Sequence, residues 1–340
     1  MINGHGDEYM GELEANFSSN VWYGADNSAL YKHLHSQMHT IERYPDTEAG
    51  SLKQVLADIN KIAASQIVIC NGSTEAFYLI ANAFSGSQSL IVSPTFSEYA
   101  DACRMYNHSV RLTNRTDLNT DIKIVKPDLV WICNPNNPDG NCFEATEIKH
   151  LLANYPDSIF VIDQAYIHFT QREICVVNEI QNYPNLIIVQ SLTKRYAIPG
   201  LRLGYVMASE TIITLMSQFR MPWTVNCLAI EAGKYILEND NDGFQLHNWL
   251  CECEILRNKI DSFECFKIVP SQTPYFLVKL NVGKASDLKT FLLSHKILVR
   301  QATNFEGLEG EHIRICTLSR EKNDLLINKL NEWNQSVTQL

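Results

Sequence analysis

A lysine directly behind an apolar run, with hydroxyls beside it and an arginine further on, is the strongest chemical signal in this sequence. The run Leu186-Ile-Ile-Val189 leads into Ser191-Leu-Thr-Lys194, and Arg202 follows eight positions after the lysine. A lysine near a desolvated pocket has a lowered pKa, and its amine can form a Schiff base with a carbonyl. A guanidinium fork with a serine nearby suits the oxygens of a phosphate. Alone, a strand-end lysine is more often a solvated surface charge. Three other segments keep it company. Asp163 ends the apolar run Ile159-Phe-Val-Ile162 and stands three residues before Tyr166. A carboxylate there would lie where open α/β sheets bind ligands, although an aspartate can equally cap the following turn. Asn134-Pro-Asn-Asn137-Pro-Asp-Gly140 is by itself a turn-rich loop. Asn71-Gly72-Ser73-Thr74 follows another apolar run and opens a helical pattern. Amides at such a helix start hold phosphates, and the same letters also serve as an ordinary N-cap.

These residues need a scaffold, and the hydrophobic pattern describes one. Helical segments are expected at Ser28–Glu42 and at Gly50–Ile62, the latter with Leu52, Val55, Leu56 and Ile59 on one face. Arg43-Tyr44-Pro45-Asp46 interrupts them, because proline lacks a backbone donor. An alternation of short apolar runs and helical stretches then continues to Ala208, which predicts a mostly parallel sheet covered on both faces. After Met221-Pro222 come two long helical segments and then strands at Tyr275–Leu280, Ile297–Gln301 and Ile313–Cys316. They predict a second, smaller α+β unit. The expected division is an arm over residues 1–30, a large domain over 31–225 and a small one over 226–340.

Composition narrows the function classes. The 340 residues carry 28 basic and 38 acidic side chains, a formal charge of −10, with no basic block. Such a chain repels phosphodiester backbones, so nucleic acid is not an expected partner. No apolar run approaches bilayer length, and the start lacks the charged and apolar regions of a secretory signal. A cytoplasmic protein with reduced cysteines is expected. His35 and His39 have helical i, i+4 spacing but no Glu that completes a metalloprotease motif, and Cys251-Glu-Cys253 lacks a zinc-pair gap, so no metal is expected.

Together, the order and spacing of these motifs resemble the fold-type I pyridoxal-phosphate enzymes, the aspartate-aminotransferase-like superfamily, over essentially the whole chain. The resemblance implies an α/β fold with a large domain, a small C-terminal domain and pyridoxal 5'-phosphate as cofactor. It implies that Lys194 is the Schiff-base residue and that Asp163 holds the pyridine nitrogen protonated. Tyr166 and Asn137 would donate to the ring's phenolate oxygen. Phe96, in Pro94-Thr-Phe-Ser-Glu-Tyr99, would stack on the ring. Gly72, Ser73, Thr74, Ser191 and Arg202 would cradle the phosphate. Tyr44 would reach the phosphate of a neighbouring subunit, which implies a homodimer with shared sites.

Within that superfamily the sequence is similar to the branch holding histidinol-phosphate aminotransferases and the threonine-phosphate decarboxylases of cobalamin biosynthesis. Tyr196-Ala-Ile-Pro-Gly200, Met221-Pro-Trp-Thr-Val-Asn226, and Val299-Arg300 followed by Asn304-Phe-Glu-Gly-Leu308 and Arg314 lean towards the decarboxylases. His5-Gly6 and Asn16-Phe-Ser-Ser-Asn20 are similar to their amino-terminal segments, whereas Asp7 and Val21-Trp-Tyr-Gly24 depart from them. By this likeness His5, Gly6, Asn137, Arg300 and Arg314 bind the substrate. Two arginines at such a site suit a substrate with two anionic groups, although Arg300 alone reads as a surface salt bridge. The expected activity is decarboxylation of O-phospho-L-threonine. The alternative is transamination of histidinol phosphate or another amino acid with 2-oxoglutarate. A non-catalytic sensor that keeps the fold is the remoter reading.

Overall fold

Apolar runs too short to be helices become strands, and their order along the chain sets the architecture. A computed structural model describes residues 9, 11–239 and 243–338. It begins with a two-residue strand, β1 (Ala15–Asn16), and the helices α1 (Ser28–Ser36) and α2 (Gly50–Asn60). The main sheet contains β2 (Ile67–Cys70), β3 (Gln88–Val92), β4 (Ser109–Thr113), β5 (Leu129–Cys133), β6 (Ile159–Asp163), β7 (Leu186–Ser191) and β8 (Gly204–Ala208). Its strand order is β2-β8-β7-β6-β5-β3-β4. Every neighbouring pair is parallel except those of β8, which runs antiparallel to both β2 and β7.

Both faces of this sheet are buried, which is why its strands read as nearly unbroken apolar runs. Val130, Ile132, Ile162 and Ile188 share one core with α2, α5 (Leu118–Val125), α6 (Ala145–Asn154) and α8 (Cys227–Glu238). Trp131, Cys133, Val161 and Val189 point the other way, towards α3 (Gly72–Ala83), α4 (Glu98–Met105) and α7 (Glu210–Ser217). The period-2 alternation of a strand therefore feeds two separate cores.

A second sheet forms from β9 (Phe266–Ile268), β10 (Tyr275–Leu280), β12 (Arg300–Gln301) and β13 (His312–Cys316), antiparallel in the order β12-β13-β10-β9. Helices α9 (Leu246–Asp261), α10 (Ala285–Ser294) and α11 (Arg320–Thr338) pack on it around Phe276, Val278, Ile313 and Ile315. Ala15 and Phe17, from the start of the chain, are buried in this same core. The remaining strand, β11 (Ile297–Leu298), pairs in parallel with β1 rather than with the second sheet. No helix of the described residues is long and apolar enough to cross a membrane.

Three local expectations change. The run Ile297–Gln301 is not one strand. Its first half bonds to the amino-terminal segment and its second half to β13, with Val299 buried between them. Ile59 is exposed at the last turn of α2, which stops at Asn60 before Lys61 in a left-handed conformation rather than running on to Ile62. The segment Ser28–Glu42 is α1 followed by a separate tighter turn at Met38–Glu42.

Candidate active site

Because β2, β3, β5, β6 and β7 run in parallel, their carboxyl ends release the chain at one edge of the sheet, where open α/β sheets bind ligands. Gly72, Ser73 and Thr74 follow β2, Phe96 follows β3, and Asn137 follows β5. Asp163 ends β6 with Tyr166 just beyond it, and Ser191 and Lys194 lie at the end of β7. The reversed direction of β8 brings its beginning, with Arg202 just before it, to the same edge. One cavity is lined by Ser73, Thr74, Phe96, Asn137, Asp163, Tyr166, Ser191, Lys194 and Arg202. Tyr99, Cys133, Ala165 and Thr193, which the sequence did not single out, line it as well.

One end of this cavity is built for close approach. Gly72 has φ +77°, and a Cβ there would lie 2.6 Å from the Arg202 guanidinium. A Cβ on Gly204 would lie 2.6 Å from the backbone nitrogen of Ser73. Only glycines let α3, β8 and Arg202 meet this closely. Asn71 makes no side-chain cap on α3, so the amides of its first turn are not claimed in that way. The Ser191 and Thr193 hydroxyls are 2.8 Å apart beside them.

At the other end lies a buried carboxylate. Asp163 Oδ1 accepts the Ala165 N–H at 2.8 Å, and Oδ2 accepts the Tyr99 hydroxyl, with Cys133 Sγ 3.9 Å away. Burial pushes the Asp163 carboxyl up to about 6, against the pull of Tyr99, the Ala165 amide and Lys194. Lys194 is pushed the opposite way, down to about 8, by burial and then by the fields of Arg314 and Arg202. Its Nζ lies 5.9 Å from the centre of the Tyr166 ring. Burial raises the Tyr166 hydroxyl, and Arg314 opposes the rise.

A second cavity shares Phe96 and Asn137 with the first and adds Ser97, Arg300, Asn304, Phe305 and Arg314. Arg300 and Arg314 face each other directly across β12 and β13, only 7% and 5% exposed. Like charges opposite one another destabilise a sheet, and buried ones more so. Arg314 donates to Asn137 Oδ1 and to the Ser18 carbonyl, leaving its buried Nε without a partner. Arg300 donates to Asn304 Oδ1 at 2.9 Å, its guanidinium 5.4 Å from the centre of the Phe305 ring. The amino-terminal segment closes this side. Phe17 bonds to both Leu298 and Cys316, and the Trp22 N–H reaches the Lys194 carbonyl at 3.1 Å. Asn20 is buried beside Tyr166, and its side chain acts on the Tyr166 hydroxyl against the rise that burial causes.

Tyr44 is not in this assembly of side chains. It is 85% exposed, and its ring lies 5.3 Å from that of Trp223. His5 and Gly6 lie outside the described residues. Among the residues that sequence reasoning missed, Tyr99 carried one signal. It stands three positions after Phe96, in the first turn of α4.

A parallel sheet with an amine, a carboxylate and a phosphate-sized cradle on one edge defines a class of enzyme, and the sequence places the chain within it. The chain belongs to the aminotransferase class I and II family, whose sequence model matches residues 14–330. Threonine-phosphate decarboxylase of Salmonella typhimurium strain LT2 is 30% identical over 92% of this chain and 89% of that protein. Histidinol-phosphate aminotransferase of Thermoanaerobacter sp. strain X514 is 34% identical over 85% of this chain and 84% of that protein. The crystal structure of L-threonine-O-3-phosphate decarboxylase from Porphyromonas gingivalis superposes with a TM-score of 0.92 and 39% identity, covering 94% and 99% of the two chains.

The family works with pyridoxal 5'-phosphate, so this protein is a pyridoxal-phosphate enzyme. Its residues fit that group. The Asp163 carboxylate is buried, with no ion pair to it among the described residues, and suits a ring N–H at one end, while the glycine-bounded cradle beside Arg202 suits a phosphate at the other. The Lys194 amine and the Phe96 ring line the same cavity.

Proposed function

We propose that this enzyme decarboxylates O-phospho-L-threonine to (R)-1-aminopropan-2-yl phosphate, a step of cobalamin biosynthesis. The observation that carries the reading is the buried pair Arg300 and Arg314 at the mouth of the cofactor cavity. Two guanidinium groups held opposite each other call for anionic charge between or beside them. A substrate with a carboxylate and a phosphate on neighbouring carbons supplies two such charges within a short reach. The relatives named as threonine-phosphate decarboxylases support the same choice.

In this reading Lys194 binds the cofactor covalently, and Asp163 keeps a proton on its ring nitrogen. Tyr166 and Asn137 donate to the phenolate oxygen, and Phe96 stacks on the ring. Gly72, Ser73, Thr74, Ser191 and Arg202 hold the phosphate. When bound, the cofactor draws electrons away from the substrate's α-carbon. Arg314, tied to Asn137 and to the Ser18 carbonyl, grips the substrate beside the ring. Arg300, steadied by Asn304, orients the distal anion; His5 and Gly6, which lie outside the described residues, belong to the substrate-binding set of this reading. Holding both ends of the substrate fixes which bond at the α-carbon stands perpendicular to the ring, and binding energy spent that way appears in turnover.

The division into an arm (1–30), a large domain (31–225) and a small domain (226–340) belongs to this reading, as do a cytoplasmic location and a homodimer. Tyr44, Met38 and Ile41 are exposed, and Met221 and Trp223 are exposed on the segment that Tyr44 touches. Such apolar exposure suits a subunit contact, through which Tyr44 of the partner subunit would meet the cofactor phosphate.

A second reading has support of its own. Phe96 and Phe305 both line the arginine cavity and would suit an imidazole, and an aminotransferase for histidinol phosphate matches at 34% identity. Mass spectrometry of the products from O-phospho-L-threonine, with and without 2-oxoglutarate, separates the two. The decarboxylase releases carbon dioxide and aminopropanol phosphate without any 2-oxo acid. Conversion of the bound cofactor to its amine form, with no carbon dioxide released, decides for the aminotransferase.

A further inference from the structure

Tyr99 is a phenol in a place that otherwise holds hydrocarbon. It is 1% exposed, stacked with Trp131 (centroids 5.8 Å apart, planes at 21°) and met edge-on by Phe77 at 4.8 Å and by Phe96 at 5.9 Å. Rings packed this closely leave the side chain little freedom, so its hydroxyl points where the cage directs it. A buried hydroxyl costs stability unless it finds a partner. The partner here is Asp163 Oδ2, on the strand two places away from β3 in the sheet. Asp163 Oδ1 is meanwhile fixed by the Ala165 amide. Both oxygens therefore have a donor, and the plane of the carboxylate is set.

We propose that Tyr99 is a positioning residue for the cofactor: through its hydroxyl it holds Asp163 ionised and aimed at the ring nitrogen. This rests on the reading that Asp163 meets that nitrogen. The other groups facing the carboxylate are Cys133 from β5, the Ala165 amide and Tyr166 from the turn after β6, and Lys194 from beyond β7. None of them replaces Tyr99. The thiol is a weak donor at 3.9 Å, the amide holds the other oxygen, and Lys194 is committed to the cofactor. A hydrogen bond to the charged form of an acid favours that form. Removing the phenol therefore moves protonation of Asp163 to higher pH, and the protonated carboxyl is the form that cannot pair with a protonated ring.

The test is cofactor retention by the full chain, measured by equilibrium dialysis against pyridoxal 5'-phosphate from about pH 5 to 8. Tyr99→Phe keeps the ring and its packing. Its acid limb of retention is expected at higher pH than the wild type's, with about ten-fold weaker retention at the acid end and a smaller difference at pH 8. Replacing Tyr99 by 3-fluorotyrosine makes the phenol a stronger donor and moves the limb the other way. That second protein also decides the matter if Tyr99→Phe does not fold. Acid limbs that coincide in the wild type and the fluorinated protein, or in the wild type and a folded Tyr99→Phe, overturn the proposal. Asp163→Asn separates this from the underlying reading. It should remove the part of the acid limb that Asp163 sets and leave the part set by Lys194, and an Asn variant that keeps the whole wild-type limb removes Asp163 from the ring nitrogen altogether.

Discussion

Around Asp163 and Lys194 the site rests on neighbouring strands of one parallel sheet, each ending where its chemistry begins. Around Arg300 and Arg314 it is assembled from pieces far apart in the chain: the segment at Ser18, the loop at Asn137, and two short antiparallel strands. The first region is buried on both faces and held by backbone pairing. In the second, side chains bridge one segment to another. Chemistry that must not vary within a family sits well on the first arrangement. Recognition of a particular substrate suits the second, where one segment can change without disturbing the sheet. Substitutions in the two regions should therefore fail differently, the first losing the reaction and the second losing the preference.

The largest effect is expected at Lys194. Lys194→Ala should lower turnover by about 10⁴-fold or more, and borohydride reduction of the wild type should fix the cofactor on Lys194 in a peptide map. Label on another lysine would break the comparison at its centre. Because its pKa is lowered to about 8, the neutral amine is present above that value and lost as pH falls through it. Capture of a carbonyl probe by Lys194 should accordingly rise through about pH 8 and then level off. Asp163→Asn should cost about a hundred-fold or more in turnover while the protein stays folded, since the amide cannot hold a proton on the ring.

In the second region the signature is selectivity. Truncating one side of a buried charge contact costs about 2–5 kcal/mol. Arg300→Ala should therefore cut kcat/KM for O-phospho-L-threonine by at least about thirty-fold, yet hardly change the slow reaction of threonine itself. Equal losses on both substrates would place Arg300 outside phosphate recognition. Without ligand, Arg300→Met should be at least as stable as the wild type, because it relieves two facing like charges. A thermal scan checks this.

Smaller effects test the edges of the comparison. Mixing Tyr44→Phe subunits with Lys194→Ala subunits should regain part of the activity, since a mixed dimer holds one complete site. No recovery after verified exchange argues against a shared site. The least effect is expected at Glu306, whose carboxylate pairs with both terminal nitrogens of Arg104 at 2.7 and 2.8 Å and ties the Asn304–Phe305 loop to α4. Both partners are about half exposed, so Glu306→Gln should raise KM only about two- to five-fold, and high salt should erase the difference.

The alternation of apolar runs and helical stretches was enough to specify a mostly parallel sheet, and with it the edge at which Gly72, Phe96, Asn137, Asp163 and Lys194 gather. Each of these residues ends its own strand or follows it within a few positions, so its place is a local property of the chain. The helix start at Gly72-Ser73-Thr74 and the strand-end lysine could be read for the same reason. What the periodicity does not contain is direction and pairing between remote segments. Nothing local says that β8 runs backwards, yet this reversal carries Arg202 to Gly72. Nothing local divides Ile297–Gln301 between two sheets, sets Arg300 opposite Arg314, or sends the Tyr99 hydroxyl to a carboxylate 64 residues away. Those arrangements come from which buried surfaces and backbone donors find each other once the chain collapses. A strand's pattern states which face it buries, whereas its partner is chosen by all the other strands competing for the same edge.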